Sequence, residues 1–134
     1  MSGNSRQISV ERLAAEYSAA WCSGVPERVA GFFEDDGQII INNGDVLKGQ
    51  AALTEMAAGF YAAFPDLKVI CDVIRFSGSH ALYAWTLEGH HAETKNFVRA
   101  VGWEEWELSE SMKIQSSRGW FDGVEYQRQI DEGF

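Results

Sequence analysis

The sequence predicts an α+β domain in which three helices cover one face of a strongly curved, mixed and mostly antiparallel sheet. Three observations predict it. Apolar residues recur at three-and-four spacing through the first half of the chain, and the period changes to two from Leu67 onward. Between those halves, Asn43-Gly44 separates two short apolar runs, which is a hairpin signal. Helices first and a run of strands afterwards is the order of an α+β architecture.

Met1–Gln7 is polar and expected to be loosely attached. From Val10, the residues Leu13, Ala14, Tyr17, Ala20 and Trp21 make the apolar stripe of a first helix, which Gly24 ends. Pro26 sits where a first helical turn tolerates proline, and a short second helix carries Val29, Phe32 and Phe33 to the acidic stretch Glu34-Asp35-Asp36-Gly37. Gln38–Asn42 and Val46-Leu47 are the two arms of the hairpin. Gly49 opens a third helix with Leu53, Met56, Ala57, Phe60 and Phe64 on its apolar face. Pro65 closes it, because the residue before proline is driven out of the helical region. Four strands follow, at Leu67–Phe76, His80–His91, Asn96–Leu108 and Met112–Asp122. Strands longer than the usual five or six residues bend in a small domain, and a bent sheet closed by helices encloses an interior.

A length of 134 residues fits one domain over residues 1–134, with no linker, repeat or low-complexity stretch. The net charge of −9 argues against nucleic acid or an anionic membrane as partner, since both need a cationic footprint. Cys22 and Cys71 have neither metal spacing nor a disulfide framework, and they read as small buried hydrophobes in a reducing, cytoplasmic setting. No apolar run approaches the length of a membrane span, and no apolar core of a signal peptide is present near the N-terminus. No phosphate loop or nucleophile triad is evident, and the three histidines lack ligand spacing, so neither a cofactor nor a metal is expected.

The residues that could carry chemistry cluster late in the chain. Arg118, Trp120 and Asp122 share one face of the last strand. A carboxyl against an indole and away from water has its ionised form disfavoured, which suits proton transfer. Asp122 can equally start the turn into Gly123-Val124, and Arg118 facing it would make an ion pair instead. Of the adjacent His90 and His91, only one can look inward. Trp85, Trp103, Trp106 and Trp120 all lie on strands; Trp103 and Trp106 are three apart and so face opposite sides, one toward an interior and the other toward a subunit interface. Tyr17 and Trp21 on the first helix, and Phe60 on the third, can reach the same interior. Glu104, Glu105, Glu107 and Glu110 read as the solvated face and rim of a strand, with Glu104 and Glu105 pointing to opposite sides.

Phe64-Pro65-Asp66, the run Trp85-Thr86-Leu87-Glu88-Gly89-His90-His91, Trp120-Phe121-Asp122 and the order of elements resemble the SnoaL-like polyketide cyclases. These belong to the nuclear transport factor 2-like (cystatin-like) superfamily of cone-shaped α+β folds, and the resemblance spans roughly Val10 to Ile130. It implies a cone-shaped pocket and cofactor-free acid/base chemistry, an aldol-type cyclisation or an isomerisation, on a small, largely apolar carbonyl compound. It further implies Asp122 as general acid/base with His91 assisting, and Tyr17, Trp21, Phe60, Trp85, Trp103, Trp120 and Arg118 around the substrate. It also implies a homodimer joined through the open sheet face. Because this fold hosts many activities and proteins with none, a ligand-binding or dimerisation module without turnover is the alternative, and a protein-interaction role a third. Ketosteroid isomerases are similar at Tyr17, which matches their oxyanion-hole tyrosine, but their proton-abstracting aspartate falls at Ile41 here. The Arg-x-Asp pair of limonene-epoxide-hydrolase-like enzymes falls within Ala81–Trp85, which holds neither residue.

Overall fold

The computed structural model describes residues 3–134, with side chains from Ser9 onward. The elements run α1 (Gly3–Cys22), α2 (Pro26–Ala30), β1 (Phe33–Ile41), β2 (Val46–Lys48), α3 (Gln50–Ala63), β3 (Lys68–Ser77), β4 (His80–His90), β5 (Phe97–Leu108), β6 (Ile114–Phe121) and α4 (Gly123–Glu132). Of the loose segment expected over Met1–Gln7, Met1 and Ser2 lie outside the described residues, and the backbone is already helical from Gly3.

The six strands form one mixed sheet in the order β2-β1-β6-β5-β4-β3. All neighbours are antiparallel except β1 and β6, which run parallel with Ile40 opposite Arg118. Irregular registers interrupt the ladder at Phe33/Gln38, Cys71/Val73 and Glu107/Leu108. Such bulges bend strands and raise their twist. A Cβ on Gly37 would lie 2.9 Å from the Ile114 carbonyl oxygen, so the bend of β1 over β6 requires a residue without one.

On the inner face of the bent sheet, alternate residues are buried: Ala81, Tyr83 and Leu87 of β4, Val98, Ala100, Glu104 and Trp106 of β5, Ile114 and Ser117 of β6. Helix α1 closes the inner face with the stripe read from the sequence, Val10, Leu13, Ala14, Tyr17, Ala20 and Trp21, all buried. Leu53 and Ala57 of α3 complete that layer. The outer face keeps large apolar side chains in solvent, among them Ile70, Leu82, Val101 and Trp103.

Three local expectations change. Phe33–Gly37 is strand rather than the end of the second helix, because Ile114 N–H donates to the Phe32 carbonyl and Gly49 N–H to the Gly37 carbonyl. The hairpin turns at Asn42-Asn43, one residue earlier than the Asn-Gly pair: both asparagines take positive φ (51° and 58°), and Gly44 N–H donates to the Ile41 carbonyl. Lastly, the chain after Asp122 is a fourth helix.

Candidate functional site

A cavity of about 60 Å³ lies between the inner sheet face and helices α1, α3 and α4. Aromatic rings dominate its wall: Trp21 from α1, Phe60 from α3, Tyr83 and Trp85 from β4, Phe121 from β6 and Tyr126 from α4. They brace one another, with Trp21 and Phe60 at 5.8 Å between centroids, Trp85 and Phe121 at 6.0 Å, and Phe121 and Tyr126 at 5.1 Å. Aliphatic side chains such as Ile39, Val69 and Leu87 fill the gaps. Gly102 makes room for this wall: a Cβ there would come within 2.5 Å of the Trp85 ring, which lies across the glycine facing it in the β4–β5 register.

Among the described residues, Glu104 is the one lining residue that carries a formal charge. It is 7% exposed, and its carboxyl is held from three sides. Trp106 Nε1–H donates to Oε1 at 2.9 Å, Ser117 Oγ–H to Oε1 at 2.8 Å, and the Tyr17 hydroxyl sits 3.1 Å from both oxygens. All three partners are neutral, and among the described residues no Lys, Arg or His lines the cavity. Burial lifts the Glu104 carboxyl above its ordinary value, while hydrogen bonds from Trp106, Ser117 and Tyr17 pull the other way and leave a net rise. Burial, reinforced by the Glu104 charge, also raises the Tyr17 hydroxyl well above its usual value, so it stays protonated. The Tyr83 hydroxyl is committed elsewhere: Ser18 Oγ–H donates to the Ala14 carbonyl, which leaves Tyr83 to donate to Ser18 at 2.5 Å.

A raised acid fixes the sign of a pH effect. The folded state holds the Glu104 proton more tightly than the unfolded chain does. The stability this contributes is fully present below the ordinary value of 4.5 and is lost as pH rises through the folded-state value. Melting temperature measured against pH is therefore expected to fall across that window relative to a Glu104→Gln protein, in which the fall is absent. Parallel curves would contradict the assignment.

The residues singled out from the sequence divide into two groups. Trp21, Phe60 and Trp85 line the cavity, and Tyr17 lies behind it as a donor to Glu104. Ile41 lines it as hydrocarbon. Trp120 borders it too, although its register opposite Trp103 directs its side chain to the outer face. Trp103 itself is 44% exposed on that face, and Trp106 is the inward member of the pair. Arg118 is exposed, pairs in register with the outward Glu105, and makes no ion pair with Asp122 among the described residues.

Asp122 is exposed and is the N-cap of α4. Its Oδ1 accepts from Val124 N–H and Glu125 N–H, both at 3.1 Å, which is the turn-starting role of an aspartate rather than that of a carboxyl facing the hollow. That cap starts the helix whose Tyr126 closes the cavity. His91 does not line the cavity either; it packs edge-on against Phe64 at 5.5 Å. His90 faces solvent and pairs with Asp66 at 2.7 Å. The Asp66 carboxyl is held below its usual value, first by the His90 backbone N–H and then by the His90 ring. The Phe-Pro-Asp motif thus fastens the end of α3 to the end of β4. Among the described residues, no group of three or more His, Cys, Asp or Glu could hold a metal ion, and no helix is long and apolar enough to cross a membrane.

Glu104 is the residue the sequence reading placed on the solvated rim. Strict alternation along β5 carries the missed signal. Val98, Ala100, Trp106 and Leu108 are all inward, and their parity includes Glu104 while excluding Glu105 and Glu107.

Residues 14–116 match the sequence model of the SnoaL-like domain. No curated protein sequence matches the chain. Among solved structures, the chain resembles a protein of ketosteroid-isomerase-like fold from Catenulispora acidiphila, in complex with trimethylamine. There the TM-score is 0.82 at 16% identity, over 89% of this chain and 92% of that one. SalBIII, an epoxide hydrolase/cyclase-like enzyme of pyran ring formation in the polyether salinomycin, gives 0.79 at 18% identity, over 89% and 95%. TerC, co-crystallised with polyporic acid, gives 0.79 at 13% identity, over 92% and 99%. At these identities the likeness establishes the fold alone, an α+β fold of the ketosteroid-isomerase-like kind.

Proposed function

Because this chain belongs to the SnoaL-like domain family, we propose that it is a small-molecule enzyme whose acid/base group is Glu104, acting on a small, largely apolar carbonyl compound held in the aromatic cavity. One observation carries this reading: among the described residues, a buried carboxyl is the only formally charged group lining an apolar, ring-walled hollow, and no cation neutralises it. Oε1 accepts from Trp106 and Ser117, whereas Oε2, among the described residues, has only the shared Tyr17 hydroxyl and keeps acceptor capacity for a substrate proton. In the step proposed, Oε2 takes a proton from the carbon beside the substrate carbonyl. The C–H electron pair becomes the enolate double bond, and the carbonyl oxygen takes the negative charge. Glu104 then returns the proton, either to a different carbon, which is isomerisation, or to the alkoxide formed when the enolate attacks a second carbonyl, which is aldol-type closure. Solved structures of this fold with trimethylamine and with polyporic acid support the pocket as a place for small ligands.

The test is deuterium exchange into the α-positions of a panel of small apolar ketones, followed by NMR. Asp122→Asn, which keeps a good helix cap, is expected to exchange like wild type, and Glu104→Gln is not. Loss of exchange in the Asp122 variant, with the Glu104 variant unaffected, would return the role to Asp122.

A binding module without turnover is favoured by one feature: among the described residues, the cavity holds no second carboxyl or imidazole to complete a proton relay. Ligand binding in the absence of any exchange would select it.

We also propose that two chains pair through the outer sheet face. Val101 is 65% exposed and Trp103 44% there, on the same face as Leu82 and Ile70, more apolar surface than a solvated sheet face needs. Val101→Glu is expected to shift sedimentation from dimer to monomer; an unchanged sedimentation coefficient would contradict it.

A further inference from the structure

The composition of the cavity wall says more about the guest than its size does. Six aromatic rings, Trp21, Phe60, Tyr83, Trp85, Phe121 and Tyr126, line the space together with a single acidic residue, Glu104, and no basic side chain of the described residues shares it. A purely apolar guest would leave Glu104 sealed from water with no counter-charge, where its ionised form is costly and the protonated form is favoured. An anionic guest would be repelled. Ring faces attract cations, most of all weakly hydrated ones that lose little on leaving water. The chain's net charge of −9 draws cations toward the whole molecule.

From this arrangement we propose that the substrate carries a small alkylammonium group, seated among the rings with its positive charge toward Glu104. The proposal rests on the preceding reading that this cavity is the ligand site, but not on which bond is broken there. It also supplies what a base at Glu104 lacks. Burial favours the protonated acid, and a bound cation restores the ionised form that can accept a proton. The described residues provide no such partner: the donors to Glu104 are a tyrosine, a tryptophan and a serine.

Three probes of similar shape and different charge test it: tetramethylammonium, tert-butanol and pivalate, titrated against the whole protein by calorimetry and ligand-observed NMR in physiological salt. The cation is expected to bind about tenfold or more tighter than the neutral alcohol, with pivalate weakest. Glu104→Gln should collapse the difference between cation and alcohol, its folding checked by circular dichroism. Phe60→Leu keeps both the carboxyl and an apolar wall and removes one ring; it should weaken the cation selectively. Equal or tighter binding of tert-butanol or pivalate would overturn the proposal, as would preference for the cation unchanged in both variants. Ketone exchange that persists while none of the probes binds would sink the cation alone. Cation binding without exchange would support the guest and sink the proposed reaction.

Discussion

Glu104→Gln is expected to lower α-proton exchange into a bound ketone by roughly 10²–10⁴-fold, the range that a well-placed acid/base group contributes. The substitution is close to isosteric. The amide oxygen can still accept from Trp106 Nε1–H and Ser117 Oγ–H, and the amide nitrogen can donate to the Tyr17 hydroxyl. The fold should therefore survive, and what disappears is the ability to take up and return a proton. Because the loss lies in the chemical step, the rate at saturation should fall with little change in half-saturation. Tyr17→Phe makes the companion. It removes the hydroxyl shared between both carboxyl oxygens, leaves the ring in place, and should cost far less than loss of the carboxyl itself. A Glu104→Gln protein that exchanges at the wild-type rate would leave the carboxyl as a purely structural group.

Trp106→Ala is expected to cost about 3–5 kcal/mol of unfolding free energy, measured by chemical denaturation. The side chain is fully buried. It stacks on Tyr83 at 4.9 Å and 17° and meets the edge of Tyr17 at 5.2 Å, so its removal opens a void in the centre of the ring cluster. The change also removes one donor from Glu104. Trp106→Phe separates the two contributions: it keeps most of the packing and deletes the Nε1–H. The phenylalanine variant should be distinctly the more stable of the two, while shifting Glu104 further upward because a bond that favours the ionised form is gone. Equal losses in both variants would contradict the packing argument.

The helices and strands were legible in the sequence because each buries one face with a constant period. Val10 through Trp21 gives away α1, and Val98 through Leu108 gives away β5. What pattern alone did not reveal depends on contacts between distant segments. The strand at Phe33–Gly37 is stabilised by backbone bonds to Ile114 and Gly49, and nothing in Glu34-Asp35-Asp36 announces a ladder. The fourth helix begins at a cap, Asp122, whose helix-starting role is hard to tell from a catalytic one by spacing. Trp21, Phe60 and Trp85 line the cavity because a large apolar side chain on an inner face has few other places to go. Glu104 was hidden for the opposite reason. A carboxylate in an acidic run is nearly always solvated, and only its three donors, drawn from α1, β5 and β6, make burial tolerable. Asp122 attracted attention through its neighbours Trp120 and Phe121, yet the cavity's carboxyl is supplied by the adjacent strand, where Gly119 pairs with Glu104.

The most direct measurement is a carbon-13 NMR titration of the Glu104 side-chain carboxyl, assigned by its disappearance in Glu104→Gln, without ligand and with a ligand that fills the cavity. The resonance should titrate above the ordinary glutamate value in the empty protein and move when the cavity is occupied. A carboxyl that titrates with the solvent-exposed glutamates and does not respond to ligand would contradict both its burial and its place in the site.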